Sequence, residues 1–338
     1  MKRDKYRHFE LRTRLSVVHV CAMAVVGVMH SSSRLSYVSL LAVAAASSTC
    51  EAFAVAGRAP THPGTALYYS REICTFDSDD FALPTGEWPY TDADMNRLDN
   101  SDDENFYDEP RFVTHIDDYA IQSLTEFYAE EMSETSRQKK ESGQDAEGKV
   151  NVLDLCSSWI SHLPSDVPYG RVVGIGMNKK ELEANKQLTE NYVQNLNVNP
   201  SLEQFDDSSF DFVCNVVSVD YLTKTKEIFA ETHRILRPGG KCLISFSNRM
   251  FPTKAIAMWL QADDIDRLTI VASYFHYAAK WSSIEALDIK IPPAETPARP
   301  GLGEMFNNPA KGFAWANTAS AIAKVKASDP MFVVKGVK

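Results

Sequence analysis

The stretch VLDLCSSWISHLP, residues 152–164, raises the question that decides the fold and its use. Its first residues are apolar, as in a buried parallel strand, and include the acid Asp154. In nucleotide-binding α/β proteins a glycine-rich turn follows such a strand, because glycine lets the backbone approach the ligand closely. Here the turn has no glycine and reads Cys156, Ser157, Ser158, Trp159, Ile160. Either this loop binds a ligand through other groups, or the ligand site has been lost.

From this stretch onward, apolar runs alternate with segments of helical periodicity. The runs predict strands at 150–155, 171–175, 192–196, 210–217, 241–246, 284–291 and 331–337. Helices are predicted from Asn178 and over 224–236, 253–261 and 264–279. Strands that alternate with helices indicate an α/β protein whose parallel sheet carries helices on both faces.

Four segments resemble the class I S-adenosylmethionine-dependent methyltransferases, in particular their type 11 group. They are VLDL at 152–155, VVGIGMN at 172–178, FDDSSFDFVCNVVSVDYL at 205–222 and RILRPGGKCLISF at 234–246. The resemblance covers residues 149–250 best. It implies a Rossmann-like, seven-stranded mixed sheet whose last two strands form a reversed edge pair. The stretches FYDEPRFVTHID, SSWISHLP and SFSNRMFPTKAIAMW look like a plastid and cyanobacterial branch of these methyltransferase-like proteins.

The resemblance implies that S-adenosylmethionine binds at the carboxyl ends of the strands. Cys156, Ser158 and Ile160 stand at the family's glycine positions, and Gly176 stands where an acid usually grips the ribose. Asn178 is the nearest polar substitute for that acid, and Asn195 matches the aspartate that reads the adenine. The cofactor-binding residues predicted in this way are Asp154, Cys156, Ser157, Ser158, Gly176, Met177, Asn178, Asn195, Leu196 and Ser218.

Two pairs of residues are candidates for the acceptor side of the site. Asp220 and Tyr221 follow the fourth strand, beside the transferred methyl in this family, and either could orient a substrate or accept a proton. The alternative is a turn acid and a packing tyrosine. Asn248 and Arg249 follow the fifth strand as predicted substrate-binding residues, since the guanidinium of Arg249 could hold a carboxylate or phosphate. The alternative for Arg249 is an ion pair with an acid of 262–266.

The segment before the strand predicted at 150–155 changes in composition along its length. Residues 73–105 are acidic and turn-rich, which predicts a solvated linker. Apolar residues at helical spacing predict an amphipathic helix within 106–132. The resemblance implies that this segment is an N-terminal helical lid, in which Tyr107, Arg111 and His115 either cover the cofactor or pack on the core. Polar residues 133–149 predict a boundary, and the methyltransferase-like domain is expected at 149–338. A proline-rich loop insertion at 292–329 is expected within it, mobile over 293–310.

The first 72 residues have the features of a targeting sequence. Read from Met29, a short polar lead precedes an apolar stretch at 37–46 and a cleavage site after Ala52. The segment behind it, from Phe53, contains no acid until Glu72. This layout resembles the bipartite presequences of secondary plastids, a signal peptide followed by a transit peptide. The sequence therefore predicts a plastid (chloroplast) protein, with the secretory pathway as the alternative.

Composition narrows the functions that remain. The net charge of −10 disfavours nucleic acid and anionic membrane as partners, since both need clustered Lys and Arg. The cysteines form no zinc pattern, so no metal is expected, and the first turn lacks the fingerprint of nicotinamide enzymes. Two hypotheses remain: methyl transfer from S-adenosylmethionine to a small molecule, or a non-catalytic scaffold. At the site itself, another ligand or none stays an alternative to S-adenosylmethionine.

Overall fold

The computed structural model describes residues 70–290 and 298–338, and its centre is an eight-stranded sheet. The strands are β1 Arg71–Phe76, β2 Val150–Leu155, β3 Tyr169–Gly176, β4 Glu190–Val193, β5 Phe210–Val216, β6 Leu236–Phe246, β7 Ser283–Asp288 and β8 Phe332–Val337. They lie in the order β1-β7-β8-β6-β5-β2-β3-β4. The block from β4 to β6 is parallel, and the remaining pairs are antiparallel. The predicted Rossmann-like mixed sheet is confirmed, with β1 added at its edge.

Helices cover both faces of the sheet, because residues that alternate along a strand point to opposite faces. Val150 and Val152 of β2 lie in one hydrophobic cluster, and Leu153 and Leu155 lie in the other. The helices are α1 Asp92–Met95, α2 Asp103–Tyr107, α3 Asp118–Glu141, α4 Lys179–Ala184, α5 Thr225–Ile235, α6 Ala257–Gln261, α7 Asp264–Ala278, α8 Leu302–Asn307 and α9 Pro309–Ala327. Helix α3 packs in the first cluster, and α5 and α7 pack in the second. Within the described ranges, no helix has the length and apolar character needed to cross a membrane.

The acidic stretch 73–105 differs from the predicted solvated linker. Strand β1 pairs antiparallel with β7, with Phe76 opposite Ile284. Phe76, Phe81 and Tyr90 are buried, and Tyr90 donates or accepts a 2.6 Å hydrogen bond with Ser273 of α7. Aromatic residues interrupt the acidic run, and burying them on the edge of the sheet is favourable. This free energy exceeds what the segment would gain by staying solvated.

The predicted lid helix is also placed differently. Helix α3 begins only at Asp118, after the N-cap Asp117, and runs to Glu141 through most of the predicted boundary. Leu124 and Phe127 are buried against the sheet, so α3 is a core helix. Its polar end is held because Lys139 is buried and forms an ion pair with Asp211 at 2.9 Å.

Two further differences concern the second half of the chain. The predicted loop insertion contains α8 and α9, and the alanine-rich sequence of α9 favours helix. Residues 291–297, which include most of the prolines behind the predicted mobility, lie outside the described residues, so that mobility stays a prediction. Strand β6 starts at Leu236, before the predicted 241, because Gly239 adopts a positive φ of 77° and carries the chain directly into the sheet.

Candidate functional site

The carboxyl ends of the parallel strands open into a cavity of about 290 Å³. It lies where the strand order reverses, between β2 and β5, which is where ligands bind in open α/β sheets. All the predicted cofactor-binding residues line it, together with Tyr221 and Arg249: Asp154, Cys156, Ser157, Ser158, Gly176, Met177, Asn178, Asn195, Leu196 and Ser218. Asp220 and Asn248 are not part of the lining.

Asp154 anchors the first loop, as the sequence predicts. It is buried, and its Oδ2 accepts hydrogen bonds of 2.6 Å from the hydroxyls of both Ser157 and Ser161. Burial raises the pKa of the Asp154 carboxyl to about 6, although the two serine hydrogen bonds act in the opposite direction. The carboxylate therefore holds the turn in place from below.

The second serine of the loop bonds to helix α4. The Ser158 hydroxyl donates to Oε2 of Glu181 at 2.7 Å. The other oxygen of Glu181, Oε1, accepts from the backbone N–H of Arg111 at 2.6 Å, in the segment that follows α2. The donated protons of Ser157 and Ser158 are thus both used within the protein, and each hydroxyl can offer a ligand only its lone pairs.

The backbone around the cavity is strained. Cys156 has a φ of 58°, so the residue at a glycine position of the family keeps the left-handed turn that favours glycine. His115, His162 and Val217 also line the cavity with positive φ, at 65°, 54° and 42°. For a β-branched valine this conformation is especially unfavourable. Strain collected around one cavity is typical of a functional site.

The close packing around Gly176 explains why β3 ends without an acid. A β-carbon at this position would collide with the carbonyl oxygen of Ser157. The loop lies this close because Ser157 N–H donates to the carbonyl of Ile175 at 2.7 Å. A carboxylate side chain cannot stand at position 176 while the loop keeps this course.

Asn178, the predicted polar substitute for that acid, has a different role in this structure. Its Oδ1 caps α4 by accepting from the N–H groups of Lys180 and Glu181. Its Nδ2 donates to the carbonyls of Tyr107 and Asp108, at 2.8 and 2.9 Å. Asn178 lines the cavity, but its amide hydrogen bonds are committed to fixing the end of α2 above the cavity.

Residues 106–115, called the cover below, form the lid that the sequence assigns to a longer helix. Tyr107, Arg111, Val113, Thr114 and His115 line the cavity. Besides the contacts of Asn178 and Glu181, the indole Nε1 of Trp159 donates to the carbonyl of Val113 at 2.9 Å. The cover is therefore attached both to the first loop and to the start of α4.

The two predicted catalytic residues are placed differently from each other. Tyr221 faces the cavity, its hydroxyl accepts from the Phe251 N–H at 2.8 Å, and burial raises the pKa of the phenol well above its usual range. Asp220 lies behind the lining, where burial raises its pKa to about 8. Its Oδ2 is buried without a hydrogen-bond partner among the described residues. Near neutral pH neither group is a ready proton acceptor.

The predicted substrate-binding pair is at the cavity rim. Nε of Arg249 forms an ion pair with Oδ1 of Asp329 at 2.9 Å, and not with the acids of 262–266 that the sequence offers as its alternative partners. Asn248 is exposed, and its Oδ1 accepts a long hydrogen bond of 3.4 Å from the Ser247 hydroxyl. The geometry gives Arg249 a structural partner and leaves Asn248 outside the cavity.

Sequence reasoning missed a buried ionic group beside the site. Asp103, 5% exposed, accepts from both Arg97 at 2.9 and 3.0 Å and Asn197 at 3.0 Å. Nζ of Lys254, a fully buried side chain, lies 3.2 Å from the same carboxylate. The group fixes α2 against the cavity. Its members come from three distant parts of the chain, so no local pattern could have revealed it.

A buried histidine also faces the cavity. His162 is 7% exposed, and its Nδ1 has no hydrogen-bond partner among the described residues. Burial, with the charge of His115 as a second cause, lowers the pKa of His162 to about 4. The imidazole is therefore neutral at physiological pH.

Comparison with known proteins agrees with this placement. Residues 155–244, from the end of β2 through most of β6, match a family described as "Methyltransferase domain". The search of curated proteins finds no match. Among solved structures, the chain is similar to an S-adenosylmethionine-dependent methyltransferase from Mesorhizobium loti, with 14% identity, 56% of this chain and 91% of that chain covered, and a TM-score of 0.32.

Two further solved structures are similar to the chain. One is a SAM-dependent methyltransferase from Archaeoglobus fulgidus, with 10% identity, 63% and 98% coverage and a TM-score of 0.35. The other is phosphoethanolamine N-methyltransferase 2 from Haemonchus contortus in complex with S-adenosyl-L-methionine, with 16% identity, 70% and 59% coverage and a TM-score of 0.36. The plastid and cyanobacterial branch stays a prediction. Residues 155–244 are similar to this methyltransferase family, which supports the predicted S-adenosylmethionine-dependent methyltransferase.

Proposed function

We propose that the chain transfers the methyl group of S-adenosylmethionine to a small molecule bound in the cavity under the cover. The observation that carries this proposal is the cavity itself. It lies at the reversal of the strand order, between β2 and β5, and it is lined by every predicted cofactor-binding residue. The matched methyltransferase domain spans the same strand ends.

The residues present fit this cofactor in the turn and differ from the family at the ribose. The left-handed backbone at Cys156 keeps the turn that glycine forms elsewhere, which lets backbone groups approach a ligand. Asn195 and Leu196 line the cavity beyond β4 and would hold the adenine. Met177 and Ser218 line it from the ends of β3 and β5. The ribose would be held without an acid at position 176.

When bound, S-adenosylmethionine supplies a methyl group on a positively charged sulfur. Transfer of such a group needs correct placement of the acceptor more than acid–base help. The residues of this chain serve that need. The cover lines the cavity at the strand ends, Tyr221 lines it with a phenol that stays protonated, and the neutral imidazole of His162 is also part of the lining.

A non-catalytic scaffold is the second candidate function. Two observations favour it. The Ser157 carbonyl fills the space at Gly176, and the hydroxyls of Ser157 and Ser158 both donate hydrogen bonds within the protein. A domain that has lost its ligand would close its first loop in the same way.

Binding of S-adenosylhomocysteine separates the two candidates. A ligand of the native state at 100 times its dissociation constant adds about 2.7 kcal/mol to the free energy of unfolding. We expect such stabilisation in the wild type and its loss in Ser158→Leu, because the leucine would stand inside the cavity. Ser133→Leu, on the exposed side of α3, is the matched control and should keep the effect. No stabilisation of the wild type would support the scaffold.

We also propose that the protein acts in a plastid, with a mature chain that begins at or after Phe53. The support is the sequence of 29–71, which lies outside the described residues except for its end. Terminal sequencing of the native protein tests this proposal, and a cytosolic protein that begins at Met1 would contradict it.

A further inference from the structure

Three arginines line the cavity, and they differ in their partners. Arg97 bonds to both oxygens of Asp103, at 2.9 and 3.0 Å. Arg249 forms its ion pair with Asp329. Arg111 makes no ion pair with a carboxylate anywhere in residues 70–290 or 298–338. Its guanidinium is therefore the one, among the three lining arginines, that is available to pair with an anionic ligand.

The guanidinium of Arg111 is nevertheless held in a fixed place. It lies over three aromatic rings, at 4.4 Å from the ring centre of Phe106, 5.6 Å from that of Phe251 and 5.8 Å from that of Tyr107. Its Nη2 donates to the carbonyl of Phe106 at 2.8 Å. Cation–π contacts position the group without neutralising its charge, and one hydrogen bond uses only one of its five N–H donors.

Glu181 contacts Arg111 through the backbone of the arginine and not through its guanidinium. Glu181 accepts from the backbone N–H of Arg111, and its second oxygen accepts from the Ser158 hydroxyl. The pKa of the His115 imidazole, on the same cover, is lowered by partial desolvation, while the charge of Glu181 acts in the opposite direction. A preorganised guanidinium with free donors is the group that proteins use for carboxylates and phosphates.

Beside this charge the cover presents apolar side chains to solvent. Phe112 and Val113 are each 53% exposed, and the ring of Phe112 lies 6.3 Å from that of Trp159. Val113 also lines the cavity. A ligand whose anionic group reaches Arg111 would therefore have apolar surface next to it, on which the rest of the molecule could be buried.

We propose that Arg111 selects the methyl acceptor and that this acceptor carries a carboxylate or phosphate group on an apolar body. The proposal rests on the methyl transfer proposed above, because it names the acceptor of that reaction. Arg111 binds the anionic group through its free N–H donors, and the apolar body lies along Val113, Phe112 and Trp159. The acceptor is brought to the strand ends by the cover, which is the part of the chain that carries all these residues except Trp159.

Matched probes test this on the full chain without any S-adenosylmethionine or S-adenosylhomocysteine. Benzoate and phenyl phosphate supply the two anionic groups, benzamide is the neutral match of benzoate, and acetate lacks the apolar body. Calorimetric titration gives each affinity for the wild type, Arg111→Gln, Arg111→Lys and Arg137→Gln. The last variant removes an arginine from the exposed side of α3 and is the control for the change in net charge.

We expect the wild type and Arg137→Gln to bind benzoate or phenyl phosphate at least fivefold more tightly than benzamide. Arg111→Gln should lose that preference, and Arg111→Lys should keep part of it, because lysine retains the charge without the planar fork. Whichever anion binds more tightly identifies the group. Equal binding of benzoate and benzamide, an unchanged preference in Arg111→Gln, or no binding of either anion would overturn the proposal. Acetate binding as tight as benzoate would overturn its apolar part.

The outcome is distinguishable from that of the proposed function. Anion selectivity is measured on the protein alone, whereas the proposed function depends on stabilisation by S-adenosylhomocysteine. Selectivity at Arg111 without that stabilisation would leave a binding site for an amphiphilic acid on a non-catalytic protein. Stabilisation without selectivity would leave a methyltransferase whose acceptor is chosen by other residues.

Discussion

The carbonyl oxygen of Ser157 occupies the space that a β-carbon on Gly176 would need. This close approach arises where the ends of β2 and β3 meet. The loop after β2 turns through the left-handed residue Cys156, and the Ser157 N–H then donates to the carbonyl of Ile175, next to the last residue of β3. The missing acid of β3 and the unusual loop after β2 are therefore one structural change, made at the contact of the two segments.

Replacing Gly176 by alanine should destabilise the protein by about 1–3 kcal/mol, the cost of overpacking a closed site, because the obstacle is backbone. Urea unfolding measures the effect. Gly301→Ala is the control: its β-carbon would meet open space, and we expect a cost of about 0.5 kcal/mol or less. Equal losses in the two variants would show that position 176 is not crowded.

Cys156 gives a second test of the same loop. A residue other than glycine pays about 1–2 kcal/mol in the left-handed conformation, so Cys156→Gly should be more stable than Cys156→Ala by about 1 kcal/mol. Both variants lose the thiol, and the comparison isolates the backbone. If alanine proved as stable as glycine in thermal unfolding, the turn would not be left-handed in solution.

Strands β2, β3 and β5 were predictable because each contains a buried, largely apolar run whose pattern needs no distant partner. Strand β4 is half exposed, and it spans Glu190–Val193 and not the predicted 192–196. Strands β2, β3 and β5 lie within two residues of their predicted starts and ends. The lining of the cavity followed from them, since the ends of such strands meet at one edge of the sheet. Asp220 shows the limit of that reasoning: it is adjacent to Tyr221 in the chain, yet Tyr221 lines the cavity and Asp220, in the same 3₁₀ turn Val219–Tyr221, does not.

The parts that sequence could not give depend on contacts between distant residues. The edge strand β1 exists only through its pairing with β7, and Lys254 is buried only because Asp99 and Asp103 meet it. Asn178 was chosen as a ribose ligand for its chemistry. That its amide is used by the carbonyls of Tyr107 and Asp108 depends on the path of the cover, which no local pattern encodes.

Asp220 should make stability depend on pH. Its pKa is raised from 3.8 to about 8 by burial, so the folded state binds one more proton than the unfolded state between these values. The contribution is fully present below pH 4 and is lost as pH rises through 8, by up to about 1.4 kcal/mol per pH unit. Asp220→Asn lacks this titration.

Urea unfolding at pH 5 and at pH 7.5 tests the prediction for Asp220. The stability of Asp220→Asn relative to the wild type should increase from the first pH to the second. A constant difference would mean that the carboxyl is already ionised at pH 5. Asp206→Asn, at an exposed position before β5, is the control for the loss of one carboxylate.

The attachment of the cover through Asn178 can be separated from the capping of α4 by one substitution. Asn178→Asp keeps an oxygen that accepts from Lys180 and Glu181, and aspartate is as good an N-cap as asparagine. It removes the two bonds to Tyr107 and Asp108 and turns a carboxylate toward their carbonyl oxygens. We expect α4 to be unchanged and the cover to open more often.

Amide hydrogen exchange measures both segments at once. Exchange in residues 107–115, including the Arg111 amide that donates to Glu181, should become about tenfold faster, which corresponds to a loss of about 1.4 kcal/mol in closing the cover. Exchange in 179–184 should stay at the wild-type rate. Asn199→Asp introduces the same charge at an exposed position and should alter neither segment. Unchanged exchange in the cover of Asn178→Asp would mean that the bonds from Glu181 and Trp159 hold it without Asn178, and faster exchange in both segments would mean that the two roles of Asn178 cannot be separated.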